Sequence, residues 1–400
     1  MARVALIGGF GDLVVKLRGS LIRALRDAGH EVVACVPPPS AEARAGVEAG
    51  LRALGARLEE SPLDRTGTNF VAELAARAFY GDFMRRERPD VVLAYNPKPI
   101  FHAVPAARRA GVRHISAMVT GLGYAFTSTD LKARVLATVA MRLYRRALPM
   151  AGSVIFQNDD DRQFFEHLGL LAGVRDVHRI PGSGVDLAHF PHVPLDAASG
   201  ITTFLFAGRL LRDKGLLDFV EAARALRALR TDESTFRFRI AGMLDSNPSA
   251  VSAADIEHWT RGGMVEHLGR LEDVRPALAA CTVFVLPSYR EGMPMAILEA
   301  MATGRAVVTT DVPGCRETIV DGESGTLVPP GAPAALAVAL EQFLEDRTLA
   351  ARMGMAARAR AEREFDSRAV NARVMKAMAP CTNRCRAPAG RPSRLRRFPA

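Results

Sequence analysis

The chain opens on a continuous apolar run, Arg3 to Phe10, that passes into glycines at Gly8, Gly9 and Gly11. A run with no polar alternation suits a strand buried on both faces, as in a parallel sheet. Apolar residues then recur at helical spacing over about 14–28 and stop at Gly29. A second strand, Glu31–Val36, is closed by three prolines. Arg88-Pro89-Asp90 introduces a strand Val91–Tyr95, a helix fills about 99–110 up to Gly111, and strand His114–Val119 leads to Gly121-Leu122-Gly123. Ser153–Gln157 is a further strand, with a helix opening after Asn158. Strands alternating with helices in this way predict a doubly wound α/β domain.

The alternation starts over after Gly182-Ser183-Gly184. Strand Ile201–Ala207 meets Gly208-Arg209, a helix covers about 216–229, and strand Phe236–Ala241 ends at Gly242. Strand Val265–Leu268 precedes Gly269-Arg270-Leu271, and a short helix 273–280 leads into strand Thr282–Pro287. A helix 294–303, a strand Ala306–Thr310 and a last strand near Gly325–Val328 complete the series. A sheet that restarts means two domains, and a chain of 400 residues accommodates two of about 150–200 each. The boundary falls near 180–200, where Pro181, Pro191 and Pro194 stand. Residues 1–185 are expected to form the first domain and 186–365 the second, with 380–400 a disordered basic tail.

Composition narrows the partners. One Trp and five Tyr are too few for a single-stranded nucleic-acid platform built on stacked rings, so no specific nucleic acid is expected. The net charge of +10 points instead to phosphorylated substrates or an anionic membrane surface. Cys35, Cys281, Cys315, Cys381 and Cys385 form no CxxC pair and no metal-ligand spacing with His, which suits free thiols in a reducing cytosol. The N-terminus lacks a signal-peptide cleavage pattern, and no uncharged apolar stretch is long enough for a spanning helix. The expected location is cytoplasmic, with room for peripheral attachment to the inner membrane face.

The strongest chemical cluster is Leu286-Pro-Ser-Tyr-Arg-Glu291-Gly-Met-Pro-Met-Ala-Ile-Leu-Glu299. Glu291 and Glu299 flank seven residues at the carboxyl end of a strand and in the following helix, where ligands of open α/β sheets bind. Carboxylates there accept hydrogen bonds from sugar or ribose hydroxyls, and the helix start past Gly292, Met293 and Pro294 offers backbone N–H groups to phosphate. The plainer alternative is two glutamates favoured by position and helix dipole. The loop Gly208-Arg209-Leu-Leu-Arg-Asp-Lys214-Gly215 shifts the balance, because Arg209 and Lys214 can both face one diphosphate.

With these two elements, Gly182-Ser-Gly-Val-Asp186-Leu-Ala-His-Phe190 and Thr310-Asp-Val-Pro-Gly-Cys-Arg-Glu317, the chain resembles the retaining glycosyltransferases of family 4 over roughly 1–378. The resemblance implies an α/β GT-B fold: two facing Rossmann-like doubly wound domains with an interdomain cleft, and a segment 366–379 crossing back to the first domain. It implies Arg209 and Lys214 on the donor diphosphate, Glu291 on the transferred sugar, Glu299 on the ribose, and the loop Gly269-Arg270-Leu271 on the base. Gly208, Gly242, Gly292, Met293 and Pro294 complete the donor-binding set, with Glu291, Arg209 and Lys214 its catalytic members. It further implies transfer of a hexose or N-acetylhexosamine with retention, a UDP-sugar as donor, and no metal cofactor.

One departure stands out: Val119-Thr-Gly-Leu-Gly-Tyr-Ala-Phe126 holds no His where many members carry one. His114, at the other end of that strand, and His102, in a helix, are read as structural. The same loop, with Asn96-Pro-Lys98-Pro before it, resembles a subgroup acting on undecaprenyl-diphosphate-linked sugars in O-antigen, exopolysaccharide or glycoprotein glycan synthesis. Gly9, Gly11, Asn96, Lys98, Thr120, Gly121 and Gly123 are the acceptor-side candidates that follow, with a lipid-linked saccharide as partner.

Other readings compete. The glycines after the first strand lack the third fingerprint glycine, Val14 standing there, and no acid ends the second strand, which argues against a nicotinamide cofactor. Asp159-Asp160-Asp161 is explained in full as helix capping after Asn158 rather than as a metal site. Leu131–Leu148 places Leu131, Val135, Val139 and Leu143 every fourth residue among basic residues, which fits either a membrane-surface helix or one packed on the sheet. A sugar-nucleotide 2-epimerase, with Asp12 and Asp64 its only evident acid/base candidates, and a non-catalytic membrane- or RNA-associated protein are the alternative functions.

Overall fold

The computed structural model describes residues 1–64, 70–122, 126, 131–196, 200–230, 232–244 and 249–379. The first half runs β1 (Arg3–Ile7), α1 (Val14–Asp27), β2 (Glu31–Val36), α2 (Ala41–Ala53), β3 (Arg57–Glu60), α3 (Phe70–Glu87), β4 (Val91–Tyr95), α4 (Pro97–Arg109), β5 (His114–Val119), α5 (Leu131–Ala147), β6 (Ser153–Phe156), α6 (Asp159–His167) and β7 (Asp176–Arg179). Its strands form one parallel sheet in the order β3-β2-β1-β4-β5-β6-β7. Apolar residues from both faces of this sheet enter two separate cores, which is why its central strands read as unbroken apolar runs.

The second half runs β8 (Thr202–Ala207), α7 (Leu216–Leu229), β9 (Phe236–Ala241), α8 (Ala253–Arg261), β10 (Glu266–His267), α9 (Arg275–Ala279), β11 (Val283–Leu286), α10 (Met295–Thr303), β12 (Ala306–Thr310), β13 (Gly325–Val328), α11 (Pro333–Glu345), α12 (Leu349–Glu364) and α13 (Ser367–Met378). Its sheet is also parallel, in the order β10-β9-β8-β11-β12-β13. The strand expected over 265–268 pairs only at Glu266–His267, and the helix expected over 273–280 narrows to Arg275–Ala279.

Both sheets reverse their strand order once, between β1 and β4 in the first and between β8 and β11 in the second. Ligands of open α/β sheets bind in the crevice at such a switch point. The glycine turn after β1 and Asn96 after β4 stand at one; the Gly208–Gly215 loop and the segment 287–293 stand at the other. The placement of these loops is thus a consequence of topology.

Two strands of chain cross between the halves side by side. Val185 N–H donates to the Phe365 carbonyl (2.7 Å) and Ser367 N–H to the Val185 carbonyl (2.9 Å). Beyond this crossing α13 turns back, and its Val370, Val374, Ala377 and Met378 bury with Leu6, Leu93, Met118 and Ile155 of the first sheet. Arg18 of α1 lies beneath the crossing, stacked 4.5 Å over the Tyr95 ring and donating to Ser183 Oγ (2.8 Å). Among the described residues, no helix is long and apolar enough to cross a membrane.

Candidate active site

Gly215 sets the geometry of the donor side. Its φ of 71° is one that L side chains rarely adopt, and a Cβ there would strike the backbone of Pro287. The loop after β8 therefore lies directly on the segment after β11, and Tyr289 N–H donates to the Asp213 carbonyl (3.0 Å). Lys214 Nζ reaches Glu291 Oε1, which also accepts from the buried Ser288 Oγ (2.9 Å). The Glu291 N–H is held by the Pro313 carbonyl (3.1 Å). A cation and a carboxylate predicted from separate motifs thus meet at one point, with side-chain exposures of 21% and 11%.

Glu299 lies inside α10 and is nearly fully buried. Burial pushes its carboxyl above the usual range, and Lys16 of α1, 3.3 Å away, draws it partly back. Arg209 is exposed beside Gly208, whose N–H donates to the Ala241 carbonyl (3.0 Å). The Gly242 N–H donates to the Gly269 carbonyl (2.9 Å), so the base-side loop is tied to the end of β9. Arg270 extends outward toward Glu42 of α2 (3.6 Å), and Leu271 packs on the second core. Met293 is buried against Gly182 of the crossing, and Pro294 caps α10.

On the acceptor side, Asn96 joins two other predicted residues, Gly9 and Thr120. Its Oδ1 accepts from Gly9 N–H (3.2 Å) and its Nδ2 donates to Thr120 Oγ1 (2.7 Å). Asn96 itself has φ of 73°, a strained value of the kind that concentrates at functional sites. Gly121 abuts the second domain, a Cβ there lying 3.5 Å from Gly292 N. Gly11 instead packs under the backbone of Pro37–Pro39. Gly123 lies outside the described residues, as does the tail 380–400.

Sequence reasoning missed a cluster around Lys98. Lys98 Nζ and His102 Nε2, one turn apart on α4, each lie 2.5 Å from an oxygen of Glu73 on α3, and Lys98 also donates to the Asp64 carbonyl (2.6 Å). Burial lowers the His102 pKa, with Glu73 opposing. The spacing of Lys98 and His102 on one helix face was the available signal; Glu73 gave none. Asp12, weighed as an acid/base group, is engaged in holding Ser40 N–H (2.7 Å) and Ser40 Oγ (2.9 Å).

Helix capping explains only part of the acidic triplet Asp159-Asp160-Asp161. Asn158 Oδ1 does cap α6 by accepting from Asp161 N–H (2.7 Å), but capping does not account for the aspartates in full. Asp161 pairs with Arg290 and Asp160 with Arg316 (3.1 Å), both from the second domain. Arg290 sits inside the Glu291 motif, and only its partner, 129 residues away, was illegible. Among the described residues, no group of three His, Cys, Asp or Glu side chains is arranged to hold a metal ion.

Two parallel-sheet domains whose switch-point loops meet define the GT-B fold. The pattern described as "Glycosyl transferase 4-like domain" matches residues 17–183, and that described as "Glycosyl transferases group 1" matches 201–346. The chain belongs to glycosyltransferase family 4. It is 28% identical over 334 residues to the N,N'-diacetylbacillosaminyl-diphospho-undecaprenol alpha-1,3-N-acetylgalactosaminyltransferase of Campylobacter jejuni, covering 81% of this chain and 84% of that one. It is 32% identical over 197 residues, 47% of each chain, to the putative colanic acid biosynthesis glycosyltransferase WcaL of Salmonella typhimurium. In fold it is similar to sucrose-phosphate synthase from Thermosynechococcus elongatus, with a TM-score of 0.75 at 20% identity over 94% of this chain and 98% of that one. Anabaena HepE in complex with UDP-glucose gives a TM-score of 0.72 at 18% identity over 94% and 99%. The chain is thus a glycosyltransferase of polysaccharide or glycan synthesis.

Proposed function

We propose that this glycosyltransferase moves a hexose or N-acetylhexosamine, with retention, from a UDP-sugar to a polyprenyl-diphosphate-linked saccharide. The observation that carries the reading is the Lys214–Glu291 pair at the second switch point, beside Gly292, which packs against Gly121 and Thr120 of the first domain. In the free enzyme each neutralises the other. A bound donor diphosphate draws Lys214, with Arg209, onto its oxygens, and Glu291 is released to accept hydroxyl hydrogen bonds from the sugar. Charge builds on the departing diphosphate as the glycosidic bond breaks, and fixed cations lower that barrier. The acceptor hydroxyl attacks the anomeric carbon from the face the diphosphate leaves, and its proton passes to the departing phosphate oxygen. Closure of the cleft excludes water from the cationic sugar.

The acceptor class is supported by the name of the Campylobacter relative, which carries a diphospho-undecaprenol, and by its match over most of both chains. The donor nucleotide is supported by the likeness in fold to a UDP-glucose complex. No divalent cation is required in this scheme, since Arg209 and Lys214 supply the positive charge. Full loss of turnover after dialysis against a chelator, restored by magnesium or manganese, would overturn that point.

The test is nucleoside diphosphate release from a panel of UDP- and GDP-sugars, with and without lipid-extracted acceptor. Release that depends on acceptor and vanishes in Lys214→Ala and Glu291→Ala is expected. Isomerised sugar nucleotide without release would sink the reading.

A further inference from the structure

Three contacts from the first turn of α6 converge on the segment that carries Glu291. Asn158 Nδ2 donates to the Gly292 carbonyl (2.9 Å). The Arg290 guanidinium binds Asp161, and Arg316 Nη1 lies 3.1 and 3.3 Å from the two oxygens of Asp160. Arg290 directly precedes Glu291. Arg316 stands three residues past Pro313, whose carbonyl holds the Glu291 N–H (3.1 Å). Glu291 is therefore gripped on both sides by residues that answer to the other domain.

The two pairs differ in character. Asp161 is 1% exposed, and its cation comes from the second domain. A buried carboxylate stripped of its cation is strongly unfavourable, so separating the domains costs most at this pair. Among the described residues the Arg290 Nε–H is buried without a hydrogen-bond acceptor, and Asp161 is the carboxylate that holds the guanidinium. Asp160 and Arg316 are 34% and 39% exposed, and Arg316 also binds Asp311 of its own domain (2.7 Å), so their pair is the weaker and yields to salt. Close backbone approach completes the contact, since a Cβ on Gly292 would collide with the Thr120 carbonyl.

We propose that Asp161–Arg290 and Asp160–Arg316 form an interdomain latch that positions Glu291, so that the donor loop takes its working shape only when the first domain is docked on it. These are positioning residues, acting through Glu291. The consequence for turnover rests on the role proposed for Glu291; the docking itself rests on the contacts alone.

Small-angle scattering of the full chain, without ligand, tests the docking directly. Asp161→Asn should give a larger radius of gyration than the parent, and so should the paired change Asp160→Asn with Arg316→Gln, which touches only half-exposed groups and spares the fold. Raised salt should enlarge the parent toward the paired variant. With a donor that turns over, kcat should fall about tenfold in each while donor KM stays within about threefold, because the donor is held by the second domain. Combining Asp161→Asn with Arg290→Met should cost no more than either alone. Scattering unchanged in both variants overturns the latch, whatever turnover does, and does so even if no donor in the panel is accepted.

Discussion

Lys16 of the first domain stands 3.3 Å from Glu299 of the second, so the buried carboxylate that the family resemblance places on the ribose is partnered from the other domain. Lys16 is 56% exposed, and solvent weakens its hold. Burial is the larger influence and raises the Glu299 pKa.

A carboxyl whose pKa is raised on folding favours the folded state fully only below its unfolded value of about 4.3. That contribution is lost as pH rises through the folded value. Glu299→Gln carries no such loss, so it should gain stability relative to the parent as pH is taken from about 4 to about 8. Thermal unfolding of both proteins across that range checks the sign; a gap that closes or reverses would show that Lys16, not burial, governs the group. Nucleotide affinity should move the other way, weakening about tenfold as a charged acceptor of ribose hydrogen bonds is lost.

The Lys214–Glu291 pair makes a second, separable prediction. Lys214→Ala removes positive charge from the leaving diphosphate and should lower kcat by about 10²–10³. Glu291→Ala should lower kcat by a similar factor, with nucleotide affinity within a few-fold of the parent, since its contact is to the sugar. Equal effects on kcat and on nucleotide binding in Glu291→Ala would remove it from the sugar. Single-turnover kinetics beside nucleotide titration separates the two cases.

Local signals made much of this legible. Apolar runs and terminal glycines located β1, β2, β4, β5, β8, β9, β11, β12 and β13, and with them the switch-point loops. Strands β3 (Arg57–Glu60) and β7 (Asp176–Arg179) went unread because they are sheet edges, half-exposed, with charged residues at most positions. Helix α3 went unread because its apolar residues fall on no single face. The pairs Glu73–His102, Lys16–Glu299 and Asp161–Arg290 join distant segments, and nothing in the local sequence of one member marks the other.

The double crossing between the domains is tight enough to test by adding one carbon. Gly184 has φ of 68°, and a Cβ there would stand 2.7 Å from Ser367 Cα. Gly184→Ala should therefore destabilise the protein by about 1–3 kcal/mol, through strain and displacement of α13. Truncation makes the companion case. Ending the chain after residue 379 should leave turnover and Tm unchanged. Ending it before Ser367 strips Val370 and Val374 from the first core, at about 1.5–3 kcal/mol each, and should unfold the first domain. Denaturant unfolding of the three proteins decides; a stable chain lacking α13 would mean that the first sheet does not need its cover.

The last prediction concerns where the enzyme works. Helix α5 suits either a lipid surface or packing on the sheet, and its two ends differ in burial. Tyr144 and Ala147 are buried, the Tyr144 ring 4.7 Å from Phe101 on α4, and so fix the helix to the first domain. Val135 and Val139 face outward at 57% and 46% exposure, with Arg134 and Arg142 exposed on the same stretch. Leu143 is half-buried, and the Leu131 and Lys132 side chains lie outside the described residues. On α3, Val71 and Leu74 are exposed as well, at 71% and 48%. Apolar tips flanked by arginines suit an anionic bilayer surface, each arginine contributing about 1 kcal/mol near the headgroups. The protein should therefore sediment with anionic liposomes at low salt and release at high salt. Val135→Asp with Val139→Asp should abolish sedimentation while leaving the fold and nucleotide binding intact. Sedimentation that persists in the double variant would move the contact off α5, and none in the parent would end the membrane reading.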